Sequence, residues 1–288
     1  MDESALQAEL KKYSFYHVIP LTPQLSTPGV GCENEKISAR ALASIDVAGK
    51  RVLDVGCRDG KFSFQAERAG AAEVIGIDND LSRAATEFLI PFFKSKTQMV
   101  EMNLLDLRPD TFGLFDVVLL FGVLYHLRYP FWSLKILRDT LVPGGLLLIE
   151  TAVLRDAGAH SLLYCPIGSE SPYEDTSCTF FNEKGLCDSL ASLGLRVQRV
   201  EHLHATPPAP AANPLRLLKS RVRNAVRAAL GKTEGPQIGR ATFVCCFEAE
   251  LIDRDVADYW ERIHTLNSPQ KREVVWVPSS ARGSKADS

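Results

Sequence analysis

The sequence lacks any run of 18 apolar residues, and its first residues show no basic segment followed by an apolar one. We therefore expect neither a transmembrane helix nor a secretory signal peptide, and we predict a cytoplasmic protein. An excess of one charge is also missing, since 33 Lys and Arg stand against 35 Asp and Glu. This balance argues against a chain that coats nucleic acid, while a local basic patch remains open.

Paired cysteine motifs are absent as well. The seven cysteines are an odd number, contain no C-x-x-C pair and show no Cys/His spacing typical of zinc sites. We expect reduced thiols and no metal site. The rest of the composition, 45% apolar and 24% charged over 288 residues, is that of a globular protein with one large domain or two.

From Gly49 onward, short apolar segments alternate with helical ones. Five of them have the pattern of strands: RVLDVG, EVIGID, QMVEMNL, FDVVLLFG and GLLLIET. Three intervening segments have the pattern of helices: FSFQAERAGA, LSRAATEFLI and PFWSLKILRDTL. This order predicts an α/β fold with a mostly parallel sheet and helices on both faces. A ligand crevice is expected at the carboxyl ends of the strands.

Other regions flank this core. Residues 1–48 predict two helices, at 3–12 and 35–46, and we interpret them as an N-terminal helical lid. Residues 152–181, rich in Ser, Tyr, Cys and Pro, are interpreted as a cap. A helix capped by Asn182 then precedes a strand, LRVQRVEHL.

The C-terminal part continues with a Pro-rich and basic insertion at 205–239 and a strong strand, ATFVCCFEAEL. Residues 252–288 are expected to form a helix near 253–266 and a polar tail. If residues 214–231 form a helix, their basic residues lie on one face of it, next to a row of apolar residues. They could contact an anionic membrane surface or RNA, or simply form the solvated face of an insertion helix.

The most informative motif is VLDVGCRDGKFSF. Gly56 and Gly60 frame a G-x-x-x-G turn after the first strand, where a ligand could approach the backbone closely. The flanking Asp54 and Asp59 would repel a pyrophosphate but suit an ammonium or sulfonium group. A cationic cofactor is therefore expected.

Acidic residues also follow the next two strands. Asp78 lies 22 residues beyond Gly56, where a carboxylate can accept hydrogen bonds from both hydroxyls of a ribose. Asp106 follows the third strand and is placed to accept from an adenine amino group, with Leu105 offering its backbone. Each acidic residue alone is more often a cap or a surface group, so the prediction depends on their joint placement.

With these motifs, the run from Gly49 to Thr151 resembles a class I, Rossmann-like, S-adenosylmethionine-dependent methyltransferase. The resemblance extends over 49–251, which we predict to be the methyltransferase domain. It implies a seven-stranded sheet of order 3-2-1-4-5-7-6 with an antiparallel last strand, and S-adenosylmethionine as the cofactor. It also implies the cofactor-binding residues, namely Asp54, Gly56, Cys57, Asp59, Gly60, Asp78, Asn79, Leu105, Asp106, Phe121, Gly122 and Tyr125.

Two further segments, FGVLYHLRYPFWSLKILRDTLVPGGLLLIET and YEDTSCTFFNEKGL, are similar to the branch that includes the tRNA wobble-uridine carboxymethyl transferases. An upstream Y-H-x-I-x-L…S-T-P-G resembles a motif of uncharacterised relatives of that branch. The carboxymethyl transferases need a lysine in a K-G-P-F motif to neutralise the transferred carboxylate, and this chain has no such motif. Tyr125 and Arg240 match two other expected partners of that carboxylate. Without the lysine, the extra negative charge would be poorly compensated, which favours ordinary methyl transfer.

Candidate catalytic residues are Tyr125, facing the sulfonium, and three possible general bases: His126, Glu150 and His17. Each base has a structural alternative: a helix cap for His126, a pocket-lining group for Glu150, and a packing residue of the lid for His17. Aromatic residues of the cap form either an acceptor pocket or the core of the lid, namely Tyr164, Tyr173 and Phe180.

The sequence thus predicts methyl transfer to an oxygen or nitrogen of a small molecule or glycoconjugate. Two alternatives remain open. One is an enzyme that modifies a wobble uridine of tRNA, and the other is a non-catalytic, cofactor-binding regulatory protein. The oligomeric state is left undecided.

Overall fold

The structure is a computed structural model, which describes residues 3–155, 158–203 and 236–252. The chain divides into a compact unit, Met1–Leu251, and a second unit, Ile252–Ser288, which lies almost wholly outside the described residues. The basic segment at 214–231 and the helix expected near 253–266 also lie outside them.

Nine strands are described: β1 Arg51–Val55, β2 Glu73–Asp78, β3 Gln98–Glu101, β4 Phe115–Phe121, β5 Leu141–Leu154, β6 Leu163–Tyr164, β7 Phe180–Phe181, β8 Leu195–His202 and β9 Ile238–Phe247. The α-helices of the same residues are α1 Glu3–Leu10, α2 Glu33–Ala43, α3 Lys61–Arg68, α4 Ile90–Phe93, α5 Pro109–Phe112, α6 Pro130–Asp139 and α7 Glu183–Ala191. A π-helical turn, Ala84–Leu89, leads into α4.

Seven strands form one sheet in the order β3-β2-β1-β4-β5-β9-β8. The pairs from β3 to β5 are parallel, whereas β9 is antiparallel to both β5 and β8. The predicted sheet order and the antiparallel last strand are therefore confirmed. The remaining strands, β6 and β7, form a separate antiparallel pair within the region predicted as a cap.

The central strands are buried on both faces. Val52 and Leu53 point to opposite sides of the sheet, and both are fully buried, as are residues 117–120 of β4. Such continuous apolar runs are typical of parallel strands covered by helices. One face packs against Leu42 of α2 and Phe62 of α3. The sheet core thereby holds the carboxyl ends of β1, β2, β4 and β5 in fixed register.

Local signals explain the helix limits. The side chain of Asn182 accepts a hydrogen bond of 2.8 Å from the Gly185 N–H, which confirms the predicted cap of α7. Helix α2 spans Glu33–Ala43 rather than 35–46. Its predicted end lies in a turn instead, where the Asp46 carboxylate accepts a hydrogen bond from the Ala48 N–H.

Between α1 and α2, residues 11–32 form an irregular N-terminal segment. Thr27 closes it on itself, since its hydroxyl donates to the His17 carbonyl at 2.6 Å and accepts from the Ile19 N–H at 2.8 Å. Gly29 packs so closely that an added Cβ would lie 2.2 Å from the His17 carbonyl carbon. The Y-H-x-I-x-L…S-T-P-G motif is thus a closed loop that requires glycine at its end.

Among the described residues, no helix has both the length and the apolar character needed to cross a membrane.

Candidate functional site

A cavity of about 690 Å³ lies at the carboxyl ends of β1, β2, β4 and β5. Its walls include nine of the residues predicted for the site: His17, Gly56, Asp78, Asn79, Phe121, Gly122, Tyr125, His126 and Glu150. The topology brings them together because parallel strands end at the same edge of the sheet. The predicted location of the crevice is therefore confirmed.

Two glycines line the cavity where β1 and β4 end. Gly56 has a φ of 76° and Gly122 a φ of 74°, a left-handed conformation that favours glycine. A Cβ added at Gly56 would lie 2.3 Å from the Val123 side chain and collide with it. A Cβ added at Gly122 would have the Tyr125 hydroxyl oxygen, at 4.0 Å, as its nearest neighbour. Gly122 therefore leaves backbone open to a ligand, whereas the sequence predicted such an approach at the turn framed by Gly56 and Gly60, where the space is occupied by Val123 and Met99.

Three predicted residues around the first glycine turn do not line the cavity. Asp54 is buried and accepts a 2.6 Å hydrogen bond from Ser63, and burial raises its pKa to about 6 despite that bond. Cys57 is buried against Gly76. Gly60 precedes α3 and faces Met99. The expected contact of Asp54 with the cofactor is not supported, because its carboxylate is already enclosed by protein.

Leu105 and Asp106 also lie outside the cavity walls. Both belong to a 3-10 turn, Leu104–Asp106. The Leu105 N–H donates to the Asn103 side chain at 2.9 Å, so it is not free to bind an adenine. Asp106 is exposed. Their expected contacts with adenine stay predictions.

The sixth predicted residue outside the walls, Asp59, is buried against the N-terminal segment. Its Oδ2 accepts hydrogen bonds from the backbone N–H groups of Tyr16, at 2.5 Å, and His17, at 2.8 Å. Burial raises the pKa of Asp59, and these two bonds oppose that rise. Asp59 therefore fastens the N-terminal segment to the glycine turn instead of facing a ligand.

We expect Asp59→Ala to lower the free energy of unfolding by about 1–3 kcal/mol, because two buried N–H groups lose their acceptor. Amide hydrogen exchange should accelerate at Tyr16 and His17. Asp59→Asn, which keeps one acceptor oxygen, is the matched control, and its free energy of unfolding should fall by less than that of Asp59→Ala. Unchanged exchange at both amides in Asp59→Ala would contradict this anchoring role.

His17 is buried and its Nδ1 has no hydrogen-bond partner, since Asp59 Oδ2 is 3.9 Å away. Burial, with the nearby charges of Lys61 and Arg58, lowers the pKa of His17 to about 3. The imidazole is neutral at pH 7 and binds a proton too weakly to be an effective general base. Its predicted role as a base is therefore not supported.

Glu150 is paired with Arg240 across β5 and β9. The guanidinium donates two hydrogen bonds to the carboxylate, at 2.7 and 2.6 Å, and both side chains are almost completely buried. Burial raises the pKa of Glu150 and the bonds to Arg240 oppose that rise. A carboxylate held in this way is a structural wall of the cavity, the alternative foreseen beside its role as a base.

The same guanidinium lies between two tyrosine rings. Its Cζ is 4.7 Å from the ring centre of Tyr125 and 5.4 Å from that of Tyr173, whose hydroxyl accepts a 3.0 Å hydrogen bond from it. Burial raises the pKa of Tyr125 to about 12, against the opposing effect of Arg240. Tyr125 therefore remains a neutral phenol at the cavity wall.

The aromatic residues of the predicted cap lie outside the walls of this cavity. Phe180 is completely buried beside Tyr125, with Tyr164 packed against the same small core. Neither they nor Tyr173 belong to the cavity walls. Phe180 and Tyr164 thus belong to a small core, whereas Tyr173 is 45% exposed, and an acceptor pocket formed by these residues stays a prediction.

His126 lines the cavity, with its Nδ1 3.5 Å from the Thr176 hydroxyl. It does not cap α6, because the N-cap residue is Tyr129 and no side chain bonds there. Burial lowers the pKa of His126, so the imidazole is neutral at pH 7. Among the three predicted bases, only His126 is both accessible from the cavity and without an ionic partner in the structure described.

Carboxylates dominate the charge of the walls. Among the described residues of the walls, five are carboxylates and one is an arginine, Arg58; the carboxylates are Glu35, Asp78, Asp80, Glu150 and Glu174. Three of these carboxylates form ion pairs, Glu150 with Arg240, Glu35 with Lys61 and Asp80 with Arg58, so the excess negative charge is that of Asp78 and Glu174. Asp78 accepts hydrogen bonds from the backbone N–H groups of Arg58, at 2.9 Å, and Asp80, at 2.8 Å. This distribution suits a ligand that carries positive charge.

Sequence reasoning missed the wall contributed by the N-terminal region: Tyr16, Cys32, Asn34, Glu35 and Ser38. Only the predicted lid over 1–48 hinted at it, and that lid stays a prediction. Among the described residues, no group of three or more His, Cys, Asp or Glu side chains is arranged to hold a metal ion.

Comparisons with known proteins place this geometry in a family. A sequence model for a methyltransferase domain matches residues 31–200. The tRNA U34 carboxymethyltransferase of Ectopseudomonas mendocina is 38% identical over 121 residues, which cover 40% of this chain and 36% of that protein. The chain spans less than half the length of the curated relatives it matches.

Solved structures share the fold. The N-terminal domain of EvdMO1, determined with SAH and D-fucose, superimposes with a TM-score of 0.60 at 17% identity, covering 86% of this chain and 98% of that one. The 1,6-didemethyltoxoflavin-N1-methyltransferase of Burkholderia thailandensis, determined with S-adenosylhomocysteine, gives a TM-score of 0.51 at 15% identity and coverages of 75% and 79%. The family match, together with the sheet order and the crevice, shows that this chain belongs to the methyltransferase-domain family with a Rossmann-like fold.

Proposed function

We propose that this chain binds S-adenosylmethionine in the cavity and transfers its methyl group to an oxygen or nitrogen of an acceptor. The observation that carries the proposal is the cavity itself, which lies at the ends of the parallel strands and has an excess of negative charge in its walls, from Asp78 and Glu174, beside three carboxylates that are paired with cations. That charge suits a cofactor with an ammonium and a sulfonium, and its volume of about 690 Å³ leaves room beside a nucleoside. Two solved neighbours were both determined with S-adenosylhomocysteine (SAH), which supports the same cofactor.

The residues of the cavity fit this cofactor in named positions. Asp78, at the end of β2, would accept hydrogen bonds from the ribose hydroxyls. Gly56, Phe121 and Gly122 would lie against the part next to the sulfur, where Gly122 leaves the backbone uncovered. When bound, S-adenosylmethionine supplies a methyl group on a positively charged sulfur, ready for displacement by a nucleophile.

The chain's own contribution to the reaction would be positioning and proton removal. The walls would hold the acceptor close to the methyl group and in line with it, which can supply several kcal/mol of barrier reduction. His126, neutral and facing the cavity, would take the proton of a hydroxyl or amine acceptor.

Methyl rather than carboxymethyl transfer is favoured by the state of Arg240. Its charge is compensated by Glu150, and a third hydrogen bond goes to Tyr173. A transferred carboxylate would meet an ion pair with no net charge and further carboxylates in the walls, and no K-G-P-F lysine is present. The pairing therefore disfavours a negatively charged donor group.

For the acceptor we propose a small molecule or glycoconjugate. The acidic walls of the cavity would repel the phosphates of a polynucleotide at its entrance. The sequence relatives, named as tRNA U34 carboxymethyltransferases, keep tRNA as the second candidate. Filter binding of bulk tRNA at low and moderate salt separates the two. Tight binding with a steep salt dependence would favour tRNA, and no binding at low salt would favour the small acceptor.

The cofactor assignment is tested at Asp78. We expect Asp78→Ala to weaken S-adenosylhomocysteine binding by about 1–3 kcal/mol, because hydrogen bonds to a charged acceptor are lost. Isothermal titration calorimetry measures this change. Asp110→Ala, at an exposed carboxylate of α5 outside the cavity walls, is the matched control and should bind as the wild type does. Equal affinities of wild type and Asp78→Ala would refute the assignment.

A further inference from the structure

Two buried polar atoms on the cavity wall have no hydrogen-bond partner: His17 Nδ1 and Glu35 Oε1. The His17 side chain is 9% exposed and that of Glu35 is 8% exposed, so solvent does not satisfy them freely. Buried polar groups in native proteins almost always have a partner, so an unpartnered atom on a residue that lines the cavity requires an explanation, and a ligand bound in the cavity would supply the partner. Both residues belong to the part of the chain before β1, which the motif analysis did not assign to the cofactor.

The Glu35 carboxylate is held in place but keeps one oxygen free. Its Oε2 accepts a hydrogen bond from Lys61 Nζ, whereas Oε1 has no partner. Lys61 is the first residue of α3 and directly follows the glycine turn after β1. Glu35 is thereby fastened beside that turn, while Asp78 stands at the end of the neighbouring strand β2.

We propose that Glu35 binds the primary ammonium group at the amino-acid end of the cofactor, with Oε1 as the hydrogen-bond acceptor. This inference rests on the proposed function, which places the ribose at Asp78. Gly56, Glu35 and Phe62 line the same cavity as Asp78, so with the ribose at Asp78 the amino-acid end would have Glu35 within the walls around it. A carboxylate oxygen without a partner is the group that an alkylammonium requires.

The surroundings of Glu35 are compatible with a cation. His17, on the same wall, is neutral at pH 7 because burial lowers its pKa to about 3, so it adds no opposing charge. Within residues 3–155, 158–203 and 236–252, Lys61 is the cation bonded to Glu35, and it occupies the other carboxylate oxygen. The remaining carboxylates of the cavity further offset the lysine charge.

The test compares two nucleosides that differ in the group concerned. S-adenosylhomocysteine carries the amino-acid end, and 5′-methylthioadenosine lacks it. In calorimetry, Glu35→Gln should bind S-adenosylhomocysteine about 10- to 100-fold more weakly, the loss expected for a charge-assisted hydrogen bond. Its affinity for 5′-methylthioadenosine should equal that of the wild type, which also shows that the variant is folded.

Glu33→Gln is the matched control, since Glu33 lies in the same first turn of α2 with its side chain 69% exposed. It should leave both affinities unchanged. An equal loss for both nucleosides in Glu35→Gln would mean a structural role and overturn the inference. An unchanged affinity of Glu35→Gln for S-adenosylhomocysteine would overturn the inference too. That result is the one expected if Glu35 binds the amine of an acceptor instead of the cofactor.

The failure of this inference differs from failure of the proposed function. If the wild type binds neither nucleoside, both are refuted. If the wild type binds both, and Asp78→Ala weakens both, while Glu35→Gln shows no selective loss, only the role of Glu35 is refuted.

Discussion

Replacing Arg240 with methionine is expected to lower the free energy of unfolding by about 3–5 kcal/mol, the range seen when one partner of a buried ion pair is removed. The guanidinium is 9% exposed and the Glu150 carboxylate 1% exposed, and they share two hydrogen bonds. In Arg240→Met the carboxylate stays in the interior of the β5–β9 pair without its counter-charge. Urea unfolding followed by circular dichroism measures the loss.

The double variant Glu150→Met/Arg240→Met is the control that isolates the charge. It removes both ions and keeps side chains of similar length, so most of the lost stability should return. Recovery would show that the single variant suffers from an unpaired buried carboxylate rather than from lost packing around Tyr125 and Tyr173. A double variant as unstable as Arg240→Met would contradict this explanation.

The sheet could be predicted because its signals are local. Each central strand is a short run of β-branched and aliphatic residues followed by glycine or aspartate, as in β1 and β2. Alternation with helical segments then leaves few topologies for a parallel sheet. The resemblance supplied the strand order, including β9 between β5 and β8.

The roles of the individual acidic residues could not be predicted in the same way. Asp78 ends β2 and Asp59 lies in the turn after β1, and their motifs predict that both contact the cofactor. Asp59 is covered by Tyr16, 43 positions away along the chain, whereas Asp78 faces the cavity. A carboxylate can face a ligand only if no other segment packs over it, and that packing is set by long-range contacts of an irregular segment.

The same limit applies to Glu150 and Glu35. The partner of Glu150 lies 90 positions away on β9, so its charge state depends on strand pairing. Glu35 looked like an ordinary acidic residue in the first turn of a helix, where such residues are common. Its orphan oxygen becomes visible only once α2 is packed against α3 with Lys61 on one side and the cavity on the other.

Stability should also depend on pH through Asp54. Burial raises its pKa from 3.8 to about 6, although Ser63 donates a hydrogen bond to the carboxylate. A raised folded-state pKa means that the protonated acid is favoured in the folded protein. Its contribution to stability is therefore complete below pH 3.8 and is lost as the pH rises through about 6. The shift corresponds to about 3 kcal/mol between these limits.

Asp54→Asn removes the titrating group and keeps an oxygen that can accept the Ser63 hydrogen bond. The free energy of unfolding of the variant minus that of the wild type should therefore increase by about 2 kcal/mol between about pH 4 and pH 8, most of the full effect. Urea unfolding at several pH values in this range measures the difference. Asp110→Asn, at an exposed carboxylate, should show no such slope. A difference that stays constant with pH would show that Asp54 has the same pKa in the folded and unfolded states. A difference that decreases with pH would show that the Ser63 hydrogen bond lowers the pKa of Asp54 by more than burial raises it.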